Sequence, residues 1–276
     1  MEVKKKSEKK ETKKKEIKEK KKISIGPLKL TVSQIVDVSV ATLILLVWFC
    51  SPRVFVVATP YYNKGTEEQM VDVKATMGEE NTEENFRVYF QWFNVIHELG
   101  HGLLRYHSDL KLSNAEEEQL VNDFAYAYWE YYGEREKLDQ VEEIVKYALD
   151  NINGPNTNLS YIDYANNNWN KSSFSTYNEY GWFQFSCVVN TFKNKKSLDE
   201  VLKEMKIDGY KLPDAEVLTY DLIDDDVSTT ILNDAVKNFN SWGLKFPKVE
   251  HIFKTNPYSS YSVPARKILG IWALPR

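Results

Sequence analysis

The residues best suited to chemistry are two histidines four positions apart, His97 and His101, in the run His-Glu-Leu-Gly-His, an HExxH motif. Residues four apart on an α-helix lie about 40° apart around its axis and one turn along it. Both imidazoles can therefore reach one tetrahedral Zn²⁺ ion. Glu98 lies on the same flank without being a ligand, so its carboxylate can act as a general base toward a metal-bound water.

The surroundings of the motif favour a metal site over two histidines that share a helix face by accident. The chain has only four histidines, and His97 and His101 fall on an apolar face, where unpaired imidazoles are costly to bury. Gly100 and Gly102 flank His101 inside the helix, and each costs about 1 kcal/mol relative to alanine. We expect such glycines where another group must approach the backbone closely.

Two helices must position these residues. Apolar residues recur at spacings of three and four over residues 82–106, which predicts one long buried helix that carries both histidines. Ser113 and Glu116 form a capping box, so a second helix should begin at Asn114 and run to about Tyr132.

One candidate for a third ligand is His107, ten residues after His97. This is the metzincin spacing HExxHxxGxxH, but Leu104 stands where that family has the glycine that turns the chain. A helix that continues through Leu104 carries His107 about 9 Å along the axis beyond His101, too far to reach the same ion.

The other candidates are acidic residues of the second helix. Glu118 and Asn122 share one face of it, and Glu117 points about 100° away, although acidic residues at a helix start also suit the helix dipole alone. Here the sequence resembles the gluzincin metallopeptidases, and this helix is similar to the ExxAN-x-FA pattern of the ImmA/IrrE-like branch, with Val121 in place of the first alanine. The resemblance covers residues 86–132. It implies Glu118 as a zinc ligand and Asn122 as a residue that orients a ligand histidine.

The rest of the pattern predicts a mainly α fold. Further helices are expected over residues 135–152, 180–192, 197–205 and 226–242, with a polar Asn-rich loop over 151–173 and an irregular, proline-containing C-terminal tail. Strand signals are weak. With the resemblance, the expected fold is a zincin-like helical metallopeptidase domain over residues 82–276, behind an N-terminal membrane segment.

The N-terminal region differs in charge from the rest. Residues 1–22 contain twelve lysines and five glutamates, whereas the remainder has 24 basic and 35 acidic residues. Lysines interleaved with glutamates and without aromatic residues predict a disordered arm over residues 1–30, and no nucleic-acid partner is expected.

An apolar run follows the arm. Residues 31–58 are predicted to be a transmembrane signal anchor or a signal segment, and residues 59–81 a linker with one short helix around 67–77. Lysines before an apolar run place the N-terminus in the cytoplasm and the catalytic domain outside it, in a single-pass membrane protein. The alternative is secretion after cleavage near Ala58.

Together these features predict a zinc-dependent hydrolase, a metallopeptidase with a peptide or protein substrate and Zn²⁺ as its cofactor. Glu98 is the expected general base, and Tyr180 or His251 is available to stabilise the oxyanion. The alternative is a membrane-tethered binding or scaffold protein that keeps a structural zinc site without catalysis.

Overall fold

A computed structural model describes residues 22–25, 28–31, 54–62, 67–171, 174, 177–224 and 226–254. The chain divides into two units, residues 1–53 and 54–276.

In the first unit, strand β1 (Lys22–Ile25) pairs antiparallel with β2 (Leu28–Thr31). Of the arm predicted to be disordered over residues 1–30, residues 22–25 and 28–30 lie in these strands, and the others lie outside the described residues. The strand sequences, KISI and LKLT, alternate polar and apolar residues with the period of a strand, and the register pairs Ile23 with Leu30. Most of the predicted membrane segment, residues 32–53, lies outside the described residues. Among the described helices, none is long and apolar enough to cross a membrane.

The second unit begins with strand β3 (Val54–Pro60), which pairs in parallel with β4 (Lys248–Lys254). Two predictions are corrected here: the predicted membrane segment ends in a strand, and the tail is not irregular up to Lys254. Residues 54–57 are Val-Phe-Val-Val, which suits a strand. The partner strand lies almost 200 residues away, and local sequence patterns do not reveal such a pairing.

The region predicted as a linker, residues 59–81, packs against the rest of the unit. Helix α1 (Glu67–Met77) matches the short helix expected there and contacts α5 (Arg135–Asn151). Met77, at its C-terminal end, is buried. The segment is thus part of the folded unit, because its apolar residues contribute to the core.

The predicted long helix is present as three successive stretches. Helix α2 (Thr82–Phe86) passes into a π-helical segment (Arg87–Phe93) and then into α3 (Asn94–His107). The backbone is helical at each junction. Almost every residue from Phe86 to Gly100 is buried, so this helix runs through the core as expected.

Helix α4 (Asn114–Tyr131) starts at the predicted capping box, in which the Ser113 side chain accepts from the backbone N–H of Glu116 and the Glu116 carboxylate accepts from that of Ser113. It packs on α3, and Trp92 stacks on Trp129 with 4.2 Å between ring centroids. The mainly helical fold class is confirmed.

The remaining helices are α6 (Tyr161–Asn168), α7 (Tyr177–Asn194), α8 (Leu198–Glu204) and α9 (Val227–Ser241). The loop predicted over residues 151–173 is wrong for residues 161–168, which form α6. Its N-terminal signal is Ser160, whose side chain accepts from the backbone N–H of Asp163. Helix α7 packs on both α4 and α5, which brings its side chains next to those of α4.

Candidate metal centre

Helix α3 presents His97 and His101 on one face, and α4 brings Glu118 opposite them. The Nε2 atom of His97 lies 3.3 Å from Glu118 Oε2, and that of His101 lies 3.7 Å from the same oxygen. One nitrogen from each histidine and one oxygen of Glu118 all lie within 4.8 Å of one another. Two nitrogen donors and one carboxylate oxygen in this space are a ligand set that a zinc ion accepts.

The outer nitrogen of each histidine is held by an oxygen of α4. His97 Nδ1 lies 3.0 Å from Asn122 Oδ1, and His101 Nδ1 lies 2.9 Å from Glu117 Oε1. Asn122 donates its own amide to the backbone oxygen of Glu118, so its Oδ1 is the atom left to accept from His97. Both Nδ1 atoms therefore donate, and in the neutral rings both Nε2 atoms carry a lone pair.

Those two Nε2 atoms are buried and have no hydrogen-bond partner. Buried polar atoms are nearly always satisfied, so an exception calls for a specific reason. Here both orphaned nitrogens face one carboxylate, which is the arrangement expected where a metal ion completes the set. The residues therefore fit a bound cation.

The charges around the site also favour a cation. Burial lowers the pKa of His101, but the carboxylates of Glu118 and Glu117 outweigh burial and hold that pKa well above its usual value. Burial raises the pKa of Glu118, but the two histidines outweigh it and lower that pKa. Both directions mean that positive charge is stabilised between these side chains, whether a proton or a metal ion carries it.

Glu118 is also held from a third helix. Gln184 of α7 donates its amide to Glu118 Oε2 at 2.9 Å and to the Tyr180 hydroxyl at 2.8 Å. Gln184 is a residue of the site that the sequence pattern did not indicate. Its position one turn after Tyr180 on a predicted helix is a signal of a shared face, but no local pattern indicates that this face meets Glu118.

Glu98 is buried beside the histidines but is not one of the three grouped ligands. Its Oε1 accepts from the side-chain amide of Asn94, at 3.4 Å and one turn earlier on α3. Its charge contributes to the raised pKa of His101. The carboxylate is therefore close enough to influence the ligand electrostatically while remaining outside the ligand set.

The two helix glycines have the close neighbours that the sequence predicts. A Cβ on Gly100 would lie 3.0 Å from Val121 Cβ and 3.1 Å from Phe124 Cδ1, so this glycine lets α4 approach α3. A Cβ on Gly102 would collide with the ring of Phe246, just before β4. The close approach of α4 is what brings Glu118 within reach of both histidines.

The other predicted residues lie elsewhere or have a different role. His107 Nε2 meets the backbone oxygen of Lys245 at 3.0 Å, and His107 is outside the ligand group. His251 is held between Thr59 and Thr229, with 2.8 Å to each hydroxyl. Glu117 contacts the outer nitrogen of His101, because its long side chain reaches across the angle that separates it from Glu118.

Comparison with protein-family models, curated proteins and solved structures finds no match to this chain.

Proposed function

We propose that this protein is a zinc-dependent hydrolase, a metallopeptidase of the zincin type. The observation that carries the proposal is the pair of buried, orphaned Nε2 atoms of His97 and His101 that face Glu118, with Glu98 between them in sequence. A site with three protein ligands leaves a position for water or substrate, which is typical of catalytic zinc rather than structural zinc.

His97, His101 and Glu118 would hold the ion. When bound there, Zn²⁺ supplies a water of lowered pKa and a Lewis acid for the substrate carbonyl. The carboxylate of Glu98 takes a proton from the attacking water and delivers it to the leaving amine. Glu117 and Asn122 keep the proton of each imidazole on Nδ1, so that each Nε2 lone pair faces inward.

The peptide bond is the proposed substrate because the HExxH helix with a glutamate ligand from the next helix resembles the gluzincins. The partners are then a peptide or protein substrate, and a membrane through the apolar segment before Val54. In the proposed topology the lysines before the apolar segment keep the N-terminus in the cytoplasm. The catalytic domain is then outside the cytoplasm or, after cleavage near Ala58, in the secreted protein.

The metal assignment is tested by the zinc content of the purified full-length chain. We expect about one zinc per chain in the wild type and in His107→Ala, and little in Glu118→Ala, because Glu118 alone of these two faces the orphaned nitrogens. Loss of zinc in His107→Ala with retention in Glu118→Ala would reject this ligand set.

The catalytic assignment is tested by Glu98→Gln, with turnover followed on a library of quenched fluorescent peptides. The amide keeps the shape of the side chain but cannot accept the proton, so we expect turnover to fall by about 10²–10⁴-fold while zinc is retained. Zinc binding without any turnover in the wild type would instead favour a scaffold protein with a structural zinc site.

A further inference from the structure

Gln184 reaches the metal centre from α7, where it contacts two residues of α4, Glu118 and Asn122. Its Nε2 donates to Glu118 Oε2 at 2.9 Å and to the Tyr180 hydroxyl at 2.8 Å. Its Oε1 accepts from Asn122 Nδ2 at 3.5 Å. The side chain is 4% exposed, so water does not compete freely for these contacts.

These contacts favour one direction for the hydrogen bond between Asn122 and His97. An amide has two hydrogens to donate, and both of those on Gln184 are used. Its carbonyl oxygen therefore faces Asn122 and can only accept a hydrogen bond. This favours the orientation of Asn122 in which the amide nitrogen points toward Gln184. Asn122 is then left with its oxygen toward His97, so that His97 Nδ1 donates and its Nε2 faces Glu118.

Gln184 also restrains the carboxylate. The oxygen of Glu118 that it contacts, Oε2, is the oxygen that lies closest to both histidine nitrogens. A hydrogen bond to that oxygen resists rotation of the carboxyl group. A buried glutamine is costly unless its amide is satisfied, whereas an apolar residue of similar size would fill the same space.

We propose that Gln184 is a positioning residue of the metal centre, which sets the affinity for the ion by fixing Glu118 directly and His97 through Asn122. The proposal rests on the metal site of the proposed function. It adds a third helix, α7, to a site that is otherwise formed by α3 and α4.

The test is Gln184→Met in the full-length chain, with zinc affinity measured by competition with a chromophoric chelator and with the visible spectrum of the Co²⁺-loaded protein. Methionine fills a similar volume without donating a hydrogen bond. We expect zinc affinity to fall by about 10–100-fold, as is usual when a residue that orients a metal ligand is lost. The Co²⁺ bands should change as well, because the geometry around the ion relaxes.

Thr191→Val is the matched control on the same helix. Thr191 is buried and donates to Asp123, a carboxylate that is not among the grouped ligands. Valine has nearly the same shape, so the variant removes the two hydrogen bonds of the Thr191 hydroxyl, to Asp123 and from Gln119, without touching the ion. We expect unchanged zinc affinity and an unchanged Co²⁺ spectrum.

Tyr180→Phe supplies a second variant, which keeps the packing of the ring and removes only the hydroxyl that holds Gln184. We expect a smaller loss of zinc affinity than in Gln184→Met. The double variant should lose no more than Gln184→Met alone, since the hydroxyl acts through the amide.

Wild-type affinity and spectrum in Gln184→Met would overturn this proposal and leave the proposed function standing. If circular dichroism shows that Gln184→Met does not fold, Tyr180→Phe becomes the test. Unchanged zinc affinity in Tyr180→Phe would then overturn the proposal. A wild-type chain that binds neither Zn²⁺ nor Co²⁺ would overturn the proposed function and this proposal with it.

Discussion

Helix α4 carries two buried carboxylates five residues apart, Glu118 and Asp123, whose surroundings are opposite in kind. Asp123 accepts from the side chains of Thr191 and Gln119, and it pairs with Lys196 at 3.0 Å. Glu118 accepts from Gln184 and faces two histidine nitrogens that make no hydrogen bond. None of the lysines and arginines in the described part of the chain forms an ion pair with Glu118.

The two carboxylates differ in the source of the positive charge that each can pair with. At Asp123 the cation is part of the chain. Burial lowers the pKa of Lys196, but its bonds to Glu204 and Asp123 outweigh burial and raise that pKa, so the lysine stays charged. At Glu118 the two histidine Nε2 atoms face the carboxylate without a hydrogen bond, and no lysine or arginine of the described residues supplies a fixed charge. A site of that kind has the donors to accept a cation from solution.

The largest expected effect is on stabilisation by zinc, which should depend on Glu118 and not on Asp123. At free zinc about 100-fold above Kd, the free energy of unfolding of the wild type should rise by about 2.7 kcal/mol, because the ion binds the folded state. Asp123→Ala should show the same gain and Glu118→Ala none. Denaturant unfolding with zinc and with EDTA measures the gain. An equal gain in Glu118→Ala would place the ion elsewhere.

The second prediction concerns stability without metal. Asp123→Ala should lower the free energy of unfolding by about 1–3 kcal/mol, because it leaves the buried hydroxyl of Thr191 without its acceptor. Asp199→Ala is the control: this aspartate also pairs with a lysine, Lys203, but the pair is exposed, and an exposed pair contributes little to stability. Equal losses in the two variants, measured by urea unfolding in EDTA, would mean that Asp123 is not a structural anchor.

A smaller effect is expected from His251, whose two nitrogens both meet threonine hydroxyls. Burial lowers its pKa to about 4, from an ordinary value of 6.5, although Asp226 acts in the opposite direction. The folded state therefore binds this proton less readily than the unfolded state. The stability that neutral His251 contributes is complete above pH 6.5 and is lost as the pH falls toward 4.

His251→Gln should remove this part of the pH dependence while leaving zinc binding unchanged. Unfolding midpoints of wild type and variant, measured in EDTA from pH 7 to pH 4, should converge toward the acid end. Parallel curves would show that His251 is equally protonatable in the folded state. That result would remove the contrast in proton affinity between His251, whose pKa is lowered, and His101, whose pKa is raised.

The sequence predicts the parts of the site that depend on local spacing. The HExxH run fixes the relation between His97 and His101, and the capping box at Ser113 fixes where α4 begins. The parts that depend on distant packing are not predictable in this way. The β3–β4 pairing and the contact between Gln184 and Glu118 join residues far apart in sequence, and angular position on a helix does not reveal how far the Glu117 side chain reaches.

The π-helical segment changes the angular position, around the axis of the long helix, of the side chains that follow it. A π turn holds one residue more than an α turn, and each residue of an α-helix rotates the chain by about 100°. The side chains before Arg87 and those after Phe93 are thus offset from one another, and the segment is tied down where Ser228 donates to the backbone oxygen of Gln91. If the same residues were wound as a regular α-helix with none removed, each extra residue would rotate the chain that follows by about 100°, so the irregular hydrogen bonding sets the direction in which the HExxH pair faces.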